Sequence, residues 1–363
     1  MDDKSIGAAV SQAIKDSGRT QADVASAVHM DTAALSRSLS GQRAFKFLEL
    51  AWIADLVGTS VDGLIGRPQT LPFMAAARAT STADAHVNAE VSDIARLIYE
   101  RRRGLHQLDV GSPSALPDIS DCASDQAIAD RIVAALNEAQ GGPWVMTEVD
   151  EFASAIEKAF GVDVWVRPLP EGIDGYCVHA AADGVHGIVA TSKVPAQRIR
   201  FTLAHELAHL VLGDDTTNEP HRVDLDGESG IERRANEIAG MILIPRARIP
   251  LRDEWSTQQI RGEAHRFRVA PSTFAARVRA RKYQAELGTL AEAWPASTAD
   301  TTYDAWQAQN CVERPPRRLL HDLAEAYTSG EATVRPFAQV AGIDDMEDAR
   351  RRARALISQS AAA

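Results

Sequence analysis

The sequence is short of cysteine, of long apolar runs and of net positive charge. Its 363 residues include three cysteines, Cys122, Cys177 and Cys311, and none of them forms a CxxC pair. This spacing argues against a disulfide framework and against a cysteine-based zinc knuckle, and it fits a reducing compartment. No apolar run is long enough to span a bilayer, so the sequence indicates no transmembrane helix.

The N-terminus and the charge balance argue against two further classes of protein. The first residues are acidic and amphipathic, without the basic start and apolar block of a secretory signal. The formal net charge of −11 gives nucleic acid no overall attraction, so any DNA contact has to come from a local patch. Apolar residues make up 45% of the chain, which is enough for at least one substantial core. We therefore expect a soluble, cytoplasmic, multidomain protein.

The most informative stretch is HELAH at residues 205–209. Two histidines four positions apart share one face of a helix and lie close enough to bind one zinc ion. Glu206, between them, is placed to take a proton from the attacking water, which is the general-base role in metal-assisted amide hydrolysis. Apolar residues surround the motif from 201 to 212, and Gly213 follows where a helix-terminating glycine belongs. This context favours a zinc site over a chance match.

A catalytic zinc site needs a third protein ligand beside His205 and His209, with the fourth position left for water. Glu232 is the favoured candidate, because it begins a second helix that the apolar spacing predicts over 231–243. Asn236 lies one turn further along the same face, where it can orient a ligand histidine through a hydrogen bond.

Three other residues stay open as the third ligand: Asp215, His221 and Glu237. Asp215 lies six residues after the second histidine, as in metalloproteases whose ligands are close in sequence. Those enzymes turn the chain with a glycine three residues after that histidine, and Leu212 occupies that position here. His221 lies in an acidic stretch that is most simply a solvated connection.

The segment before the motif changes from a helical to an alternating pattern. Residues 150–160 predict a helix, and residues 162–166, 176–178 and 187–190 predict three short strands joined by glycine-containing turns. Three strands directly before a metal-binding helix predict an α+β arrangement, with a small sheet packed on helices. A substrate backbone could add in extended form to the edge of such a sheet.

Residues 5–65 predict five short helices with a tight turn between the second and the third. Thr20 is a suitable cap for the second helix, and Asp31 or Thr32 for the third. The pattern is typical of a helix-turn-helix module. However, residues 1–67 hold seven Lys/Arg and eight Asp/Glu, and phosphate contacts provide most DNA affinity. A protein-interaction or dimerisation domain is the alternative.

Two sequence stretches, GRTQADVASAVHMDTAALSRSLSGQRAF at 18–45 and LELAWIADLVGTSVDGLIG at 48–66, resemble the lambda-repressor-like (XRE) helix-turn-helix family. The resemblance implies that four residues face the major groove and that two lie near the phosphates. The groove residues are Thr32, Ala33, Ser36 and Arg37, and the phosphate residues are Gln21 and Arg43.

A second pair of stretches, RIRFTLAHELAHLVLG at 198–213 and ERRANEIAGMILIP at 232–245, resembles the ImmA/IrrE family of zinc metallopeptidases. The resemblance extends over roughly residues 125–280. It implies that His205, His209 and Glu232 bind Zn²⁺ and that Glu206 is the catalytic base. An oxyanion partner is also expected, and sequence spacing does not choose among its candidates. These candidates include Arg198, Tyr176 and His179.

The expected fold class is α+β, in four segments. Residues 1–67 form an all-α helix-turn-helix domain, residues 68–123 a linker with a helix, residues 124–284 a zincin-like metallopeptidase domain, and residues 285–363 an accessory helical region. The linker part lies over 66–90, and a helix over 87–103 follows it. That helix ends in an arginine run, Arg101 to Arg103, which we interpret as a solvated helix end rather than a DNA contact.

Together these features predict a DNA-associated zinc endopeptidase that regulates transcription by cleaving a repressor or another partner protein. The expected partners are operator DNA at residues 1–67, a protein substrate such as a repressor or a toxin, and a second copy of the chain in a homodimer. The alternative is an autoregulatory antitoxin or transcription regulator, whose peptidase-like domain binds its partner or a ligand. A peptide-sensing regulator is a third possibility.

Overall fold

A computed structural model describes residues 3–28, 30–59, 61–64, 74–79, 85–142, 148–213, 230–252, 254–278 and 301–360. The chain divides into two compact units. Residues 1–72 and 323–363 form the first unit, and residues 73–322 form the second. Among the described helices, none is both long enough and apolar enough to cross a membrane.

The first unit begins with the five helices that the sequence predicts. They are α1 (Asp3–Asp16), α2 (Gln21–Ala27), α3 (Thr32–Leu39), α4 (Phe47–Val57) and α5 (Val61–Leu64). Their apolar faces share one buried core, to which each helix contributes. The core includes Val10, Val24, Leu35, Ile53 and Leu64.

Two local features set the arrangement of these helices. Thr20 caps α2, because its hydroxyl accepts a hydrogen bond from the Asp23 N–H while the Asp23 carboxylate accepts one from the Thr20 N–H. Gly7 lets α1 approach α3 closely, since a Cβ at this position would lie 2.4 Å from the carbonyl oxygen of Leu39. Any larger residue at position 7 would push the two helices apart.

The second unit contains a sheet and most of the remaining helices. The strands are β1 (Met74–Ala79), β2 (Asp163–Arg167), β3 (Ile173–Ala180) and β4 (Val185–Thr191). The helices are α6 (Ala85–Gln107), α7 (Asp125–Gln140), α8 (Val149–Phe160), α9 (Ala196–Leu212), α10 (Gly230–Leu243), α11 (Thr257–Phe267), α12 (Pro271–Arg277) and α13 (Thr301–Asn310). After residue 316 the described part of the chain contains α14 (Arg317–Thr328), α15 (Arg335–Ala341) and α16 (Met346–Ser360).

The sheet has the strand order β1-β3-β4-β2, with β3 antiparallel to both neighbours and β2 parallel to β4. Helices α6 and α9 cover its two opposite faces. On one face Gly187 is close to Ile98 of α6, and on the other Gly175 is close to Thr202 of α9. The prediction of an α+β fold with a small sheet packed on helices is confirmed.

Strand β1 corrects the predicted number of strands. The sequence predicts three strands and a linker over residues 66–90, whereas residues 74–79 form a fourth strand on β3. The segment reads MAAARA and has none of the β-branched or aromatic residues that favour strands. Its strand conformation therefore comes from pairing with β3, which a local sequence pattern does not reveal.

The interpretation of the arginine run as a solvated helix end is wrong for Arg102. Helix α6 continues to Gln107, and the Arg102 side chain is 1% exposed. Its guanidinium donates two hydrogen bonds to Asp163, at 2.9 and 2.6 Å, and another to Asp322. Burial alone would lower the pKa of Arg102, but the two carboxylates raise it above its ordinary value. The residue is a buried ionic link between α6, β2 and α14.

Replacing Arg102 with alanine is expected to lower the free energy of unfolding by about 3–5 kcal/mol, because Asp163 would stay buried without its main partner. Arg103→Ala is the matched control on the same helix. The Arg103 side chain is 43% exposed and lies 3.8 Å from Asp183, so its loss should cost less than about 1 kcal/mol. Urea unfolding of both variants measures the difference, and equal costs would contradict the assignment.

Candidate metal centre

Helix α9 contains the HELAH motif and packs in the main hydrophobic core of the second unit. Its apolar residues Leu203, Ala204, Leu207 and Ala208 are completely buried there. The helix ends at Gly213, which has a φ of +65° and donates its N–H to the carbonyl oxygen of the second motif histidine at 3.0 Å. The apolar surroundings and the glycine stop are the features that the sequence pattern indicated.

A buried arginine anchors this helix, and sequence reasoning did not find it. Arg200 is 0% exposed, and its Nη1 donates to the carbonyl oxygens of Phe267 and Arg268 at 3.0 and 2.9 Å. These carbonyls belong to the C-terminal end of α11, where backbone acceptors lack helical partners. The contact ties the metal-site helix to α11, and no periodic pattern marks such a residue.

Three side chains from α9 and α10 converge on one point. The Nε2 atoms of His205 and His209 are 3.0 Å apart, and the Glu232 carboxylate oxygens lie 3.3 Å from each of them. Both histidines are buried, while the Glu232 side chain is 20% exposed. We call these three residues the His-His-Glu cluster. Glu232 reaches the histidines because α10 packs along α9.

The His-His-Glu cluster fits a tetrahedral metal ion. Metal–ligand bonds of about 2.0–2.2 Å at tetrahedral angles place ligand atoms about 3.3–3.6 Å apart. The two distances to Glu232 match this value, and the distance between the histidines is slightly shorter. Hydrogen bonds with His205 and His209 hold the pKa of Glu232 well below its usual range, although burial opposes them. The carboxylate is therefore in the ionised form that a metal requires.

The other predicted residues of the site lie close by in the fold. Glu206 is 2% exposed on α9, between the two histidines in sequence. Asn236 is partly buried on α10, one turn after the glutamate of the cluster. Their roles as base and as orienting residue stay predictions. Glu237 is exposed and outside the cluster, whereas Asp215 and His221 lie outside the described residues.

Strand alternation separates Tyr176 from the metal site. Gly175 faces α9, so its neighbour Tyr176 faces α6 on the other side of the sheet. The tyrosine is completely buried, and this burial raises the pKa of its hydroxyl. Tyr176 is one of the three named oxyanion candidates, and its side chain is directed away from α9, the helix that carries the two histidines. The Arg198 guanidinium contacts the carboxylate of Asp174 at the start of β3.

His179 lies on the α9 side of the sheet and pairs with a second histidine. It stands opposite His186 in the β3–β4 register, and the ring centroids are 4.8 Å apart. Burial, with a smaller contribution from the charge of His179, lowers the pKa of His186 to about 4. His186 is therefore neutral near neutral pH.

The residues predicted to contact DNA are mostly exposed. Four of them, Thr32, Ala33, Ser36 and Arg37, are exposed on α3, and Gln21 is exposed at the start of α2. These roles stay predictions.

Arg43 differs from the other five because its guanidinium already has internal partners. It donates to both carboxylate oxygens of Glu49, at 2.8 and 2.7 Å, and to the Ser38 hydroxyl at 2.9 Å. The contact with Glu49 fixes the loop between α3 and α4. The phosphate contact predicted for Arg43 would compete with these bonds.

Comparison with known families decides the class of the second unit. Residues 157–279 match the Peptidase M78 family, described as the IrrE N-terminal-like domain. The second unit carries an M78-like metallopeptidase domain. The matched region contains the whole His-His-Glu cluster, which is an HExxH motif with a downstream glutamate. Residues 1–67 lie outside the matched region of the M78-like domain. No curated protein matches the sequence.

Proposed function

We propose that the M78-like domain is a zinc-dependent endopeptidase. The observation that carries the proposal is the convergence of the His205, His209 and Glu232 ligand atoms within 3.0–3.3 Å of their neighbours. These residues would hold Zn²⁺. When bound, the ion polarises the scissile carbonyl and makes water a stronger nucleophile.

Glu206 moves the proton in this proposal. Its carboxylate accepts a proton from the attacking water and later delivers it to the leaving amine nitrogen. The residue is 2% exposed, and apolar neighbours on α9 limit the access of bulk water to it. Arg200 ties α9, the helix that carries Glu206 and both histidines, to α11 through its bonds to two backbone carbonyl oxygens.

Cleavage of a peptide library tests this function. The zinc-loaded full chain is incubated with the library, and new peptide termini are identified by mass spectrometry. We expect cleavage that a chelator abolishes and added Zn²⁺ restores. A protein that binds zinc but produces no new termini would contradict the endopeptidase proposal.

We further propose that residues 1–67 bind operator DNA through α3 and that the protein regulates transcription by cleaving a repressor or another partner. The exposed face of α3, with Thr32, Ser36 and Arg37, supports DNA binding, as does the resemblance to lambda-repressor-like domains. In this proposal the chain acts as a homodimer, because such domains read paired half-sites. The two functions in one chain would place the peptidase at the promoter.

Replacing Arg37 with alanine should weaken binding to a duplex selected from random DNA by about 1–3 kcal/mol, since a base contact is lost. The melting temperature should stay unchanged because Arg37 is exposed. Arg43→Ala is the contrasting variant, and we expect it to lower the melting temperature because Glu49 loses its guanidinium partner. Gel-shift titration and thermal melting measure both effects. Unchanged DNA affinity in Arg37→Ala would argue against α3 as the recognition helix.

A further inference from the structure

Strand β1 covers the outer edge of β3. The two strands are antiparallel, with Met74 opposite His179 and Ala77 opposite Tyr176. On its other side β3 is paired with β4. Without β1, β3 would therefore be an edge strand with a row of unpaired N–H and C=O groups.

The paired stretch of β3 runs beside the metal site. The start of β3 contacts the first half of α9, through Asp174 with Arg198 and Gly175 with Thr202. Strand β3 is antiparallel to β4. Helix α9 follows β4 after a connection of four residues and packs against it, so the chain reverses its direction there and α9 advances in the same direction as β3. Residues 176–179 of β3 therefore run alongside the turns of α9 that carry residues 205–209.

The opposite edge of the sheet is closed by a different segment. Val166 of β2 and Arg314 exchange two backbone hydrogen bonds, at 2.9 and 2.8 Å. The Arg314 side chain also donates to Glu157 at 2.6 Å and to the carbonyl oxygen of Val164 at 2.9 Å. These contacts make the centre of β2 a poor place for an added strand, so the outer edge of β3 is the better position for an extended peptide.

We propose that residues 74–79 are a built-in competitor for extended peptide substrates at the outer edge of β3. This inference rests on the proposed peptidase function. A substrate backbone that adds to β3 makes the same type of hydrogen bonds as β1, so it has to displace β1 first. Four of the six residues of β1 are alanine, which has a low strand propensity. Segments rich in β-branched or aromatic residues are the substrates best suited to replace it.

The test compares the zinc-loaded full chain with a variant whose residues 74–79 are replaced by alternating glycine and serine at the same length. We expect the KM for an extended reporter peptide to fall by about 10-fold, with kcat unchanged, if β1 is docked for about nine-tenths of the time. We also expect the backbone amides of β3 to exchange with deuterium faster in the variant. Faster exchange with an unchanged KM would show a merely structural strand and overturn the proposal.

A matched pair of single substitutions provides a second test in case the glycine–serine variant does not fold. Adjacent residues of an antiparallel edge strand direct their N–H groups alternately toward the partner strand and away from it. Of Ala75→Pro and Ala76→Pro, one should therefore reproduce the lower KM and the other should behave like the wild type. Equal KM values in the two proline variants and the wild type would overturn the proposal.

Two further outcomes separate this inference from the proposed function. If no form of the protein cleaves any peptide, the peptidase proposal fails. Binding of a fluorescent extended peptide then decides the competitor proposal, since tighter binding to the glycine–serine variant supports it and equal binding overturns it. Cleavage of the wild-type chain within residues 74–79, absent in Glu206→Gln, would make the segment a substrate and would also overturn the competitor proposal.

Discussion

Replacing Glu206 with glutamine should slow peptide hydrolysis by about 10²- to 10⁴-fold, the usual contribution of a general base. The amide keeps the size of the side chain but cannot accept the proton of the attacking water. We expect the loss in kcat rather than in KM, because the substituted group acts in the transition state. The zinc content should stay the same, since Glu206 is not part of the His-His-Glu cluster.

Glu237→Gln is the matched control for this experiment. Glu237 is an exposed glutamate on α10 that lies outside the cluster, so it undergoes the same chemical change away from the metal-ligand group. Its activity should equal that of the wild type. If Glu206→Gln keeps full biological function in cells, the domain acts as a binding module, as the antitoxin-like alternative requires.

Replacing Glu232 with alanine should remove most of the zinc from the purified protein. The change leaves two histidine ligands, and it should cost more affinity than the about 10- to 100-fold typical of residues that only support a ligand. Elemental mass spectrometry of protein purified without chelator measures the result. We expect about one zinc per wild-type chain and close to none in the variant.

The control for the metal measurement is Glu237→Ala, which should retain the wild-type zinc content. Zinc retained in Glu232→Ala would assign the third ligand to the segment after α9, where Asp215 and His221 lie. A wild-type chain that takes up no zinc when zinc is supplied would contradict the metallopeptidase proposal, and the domain would then have to act through binding alone.

The sequence predicted the grouping of His205, His209 and Glu232, because the determinants of this cluster are local. Two histidines four residues apart share a helical face by geometry, and the apolar spacing of α9 and α10 marks two helices with buried sides. Gly213 identifies the end of the first helix. The pairing of Glu232 with the histidines follows once the helices pack together, and the structure places their atoms 3.3 Å apart.

The features that the sequence did not predict depend on distant partners. Arg102 looked like one of three exposed arginines, but its partners Asp163 and Asp322 lie 61 and 220 residues away in the chain. Strand β1 has an alanine-rich sequence with no strand signal and becomes a strand only beside β3. The burial of Arg102 and the strand conformation of β1 both depend on partners that are distant in the sequence. A short stretch of sequence around each segment therefore does not reveal them.

The buried arginines show that the segment matched by the family is shorter than the segment needed for a stable fold. The family match covers residues 157–279, yet Glu157 and Asp163 at its start depend on Arg314 and Arg102, which lie beyond its two ends. A fragment cut at the limits of the match would leave two carboxylates in an apolar interior with no cation to balance them. A fragment designed to express the peptidase domain alone therefore has to start before α6 and extend at least to Asp322.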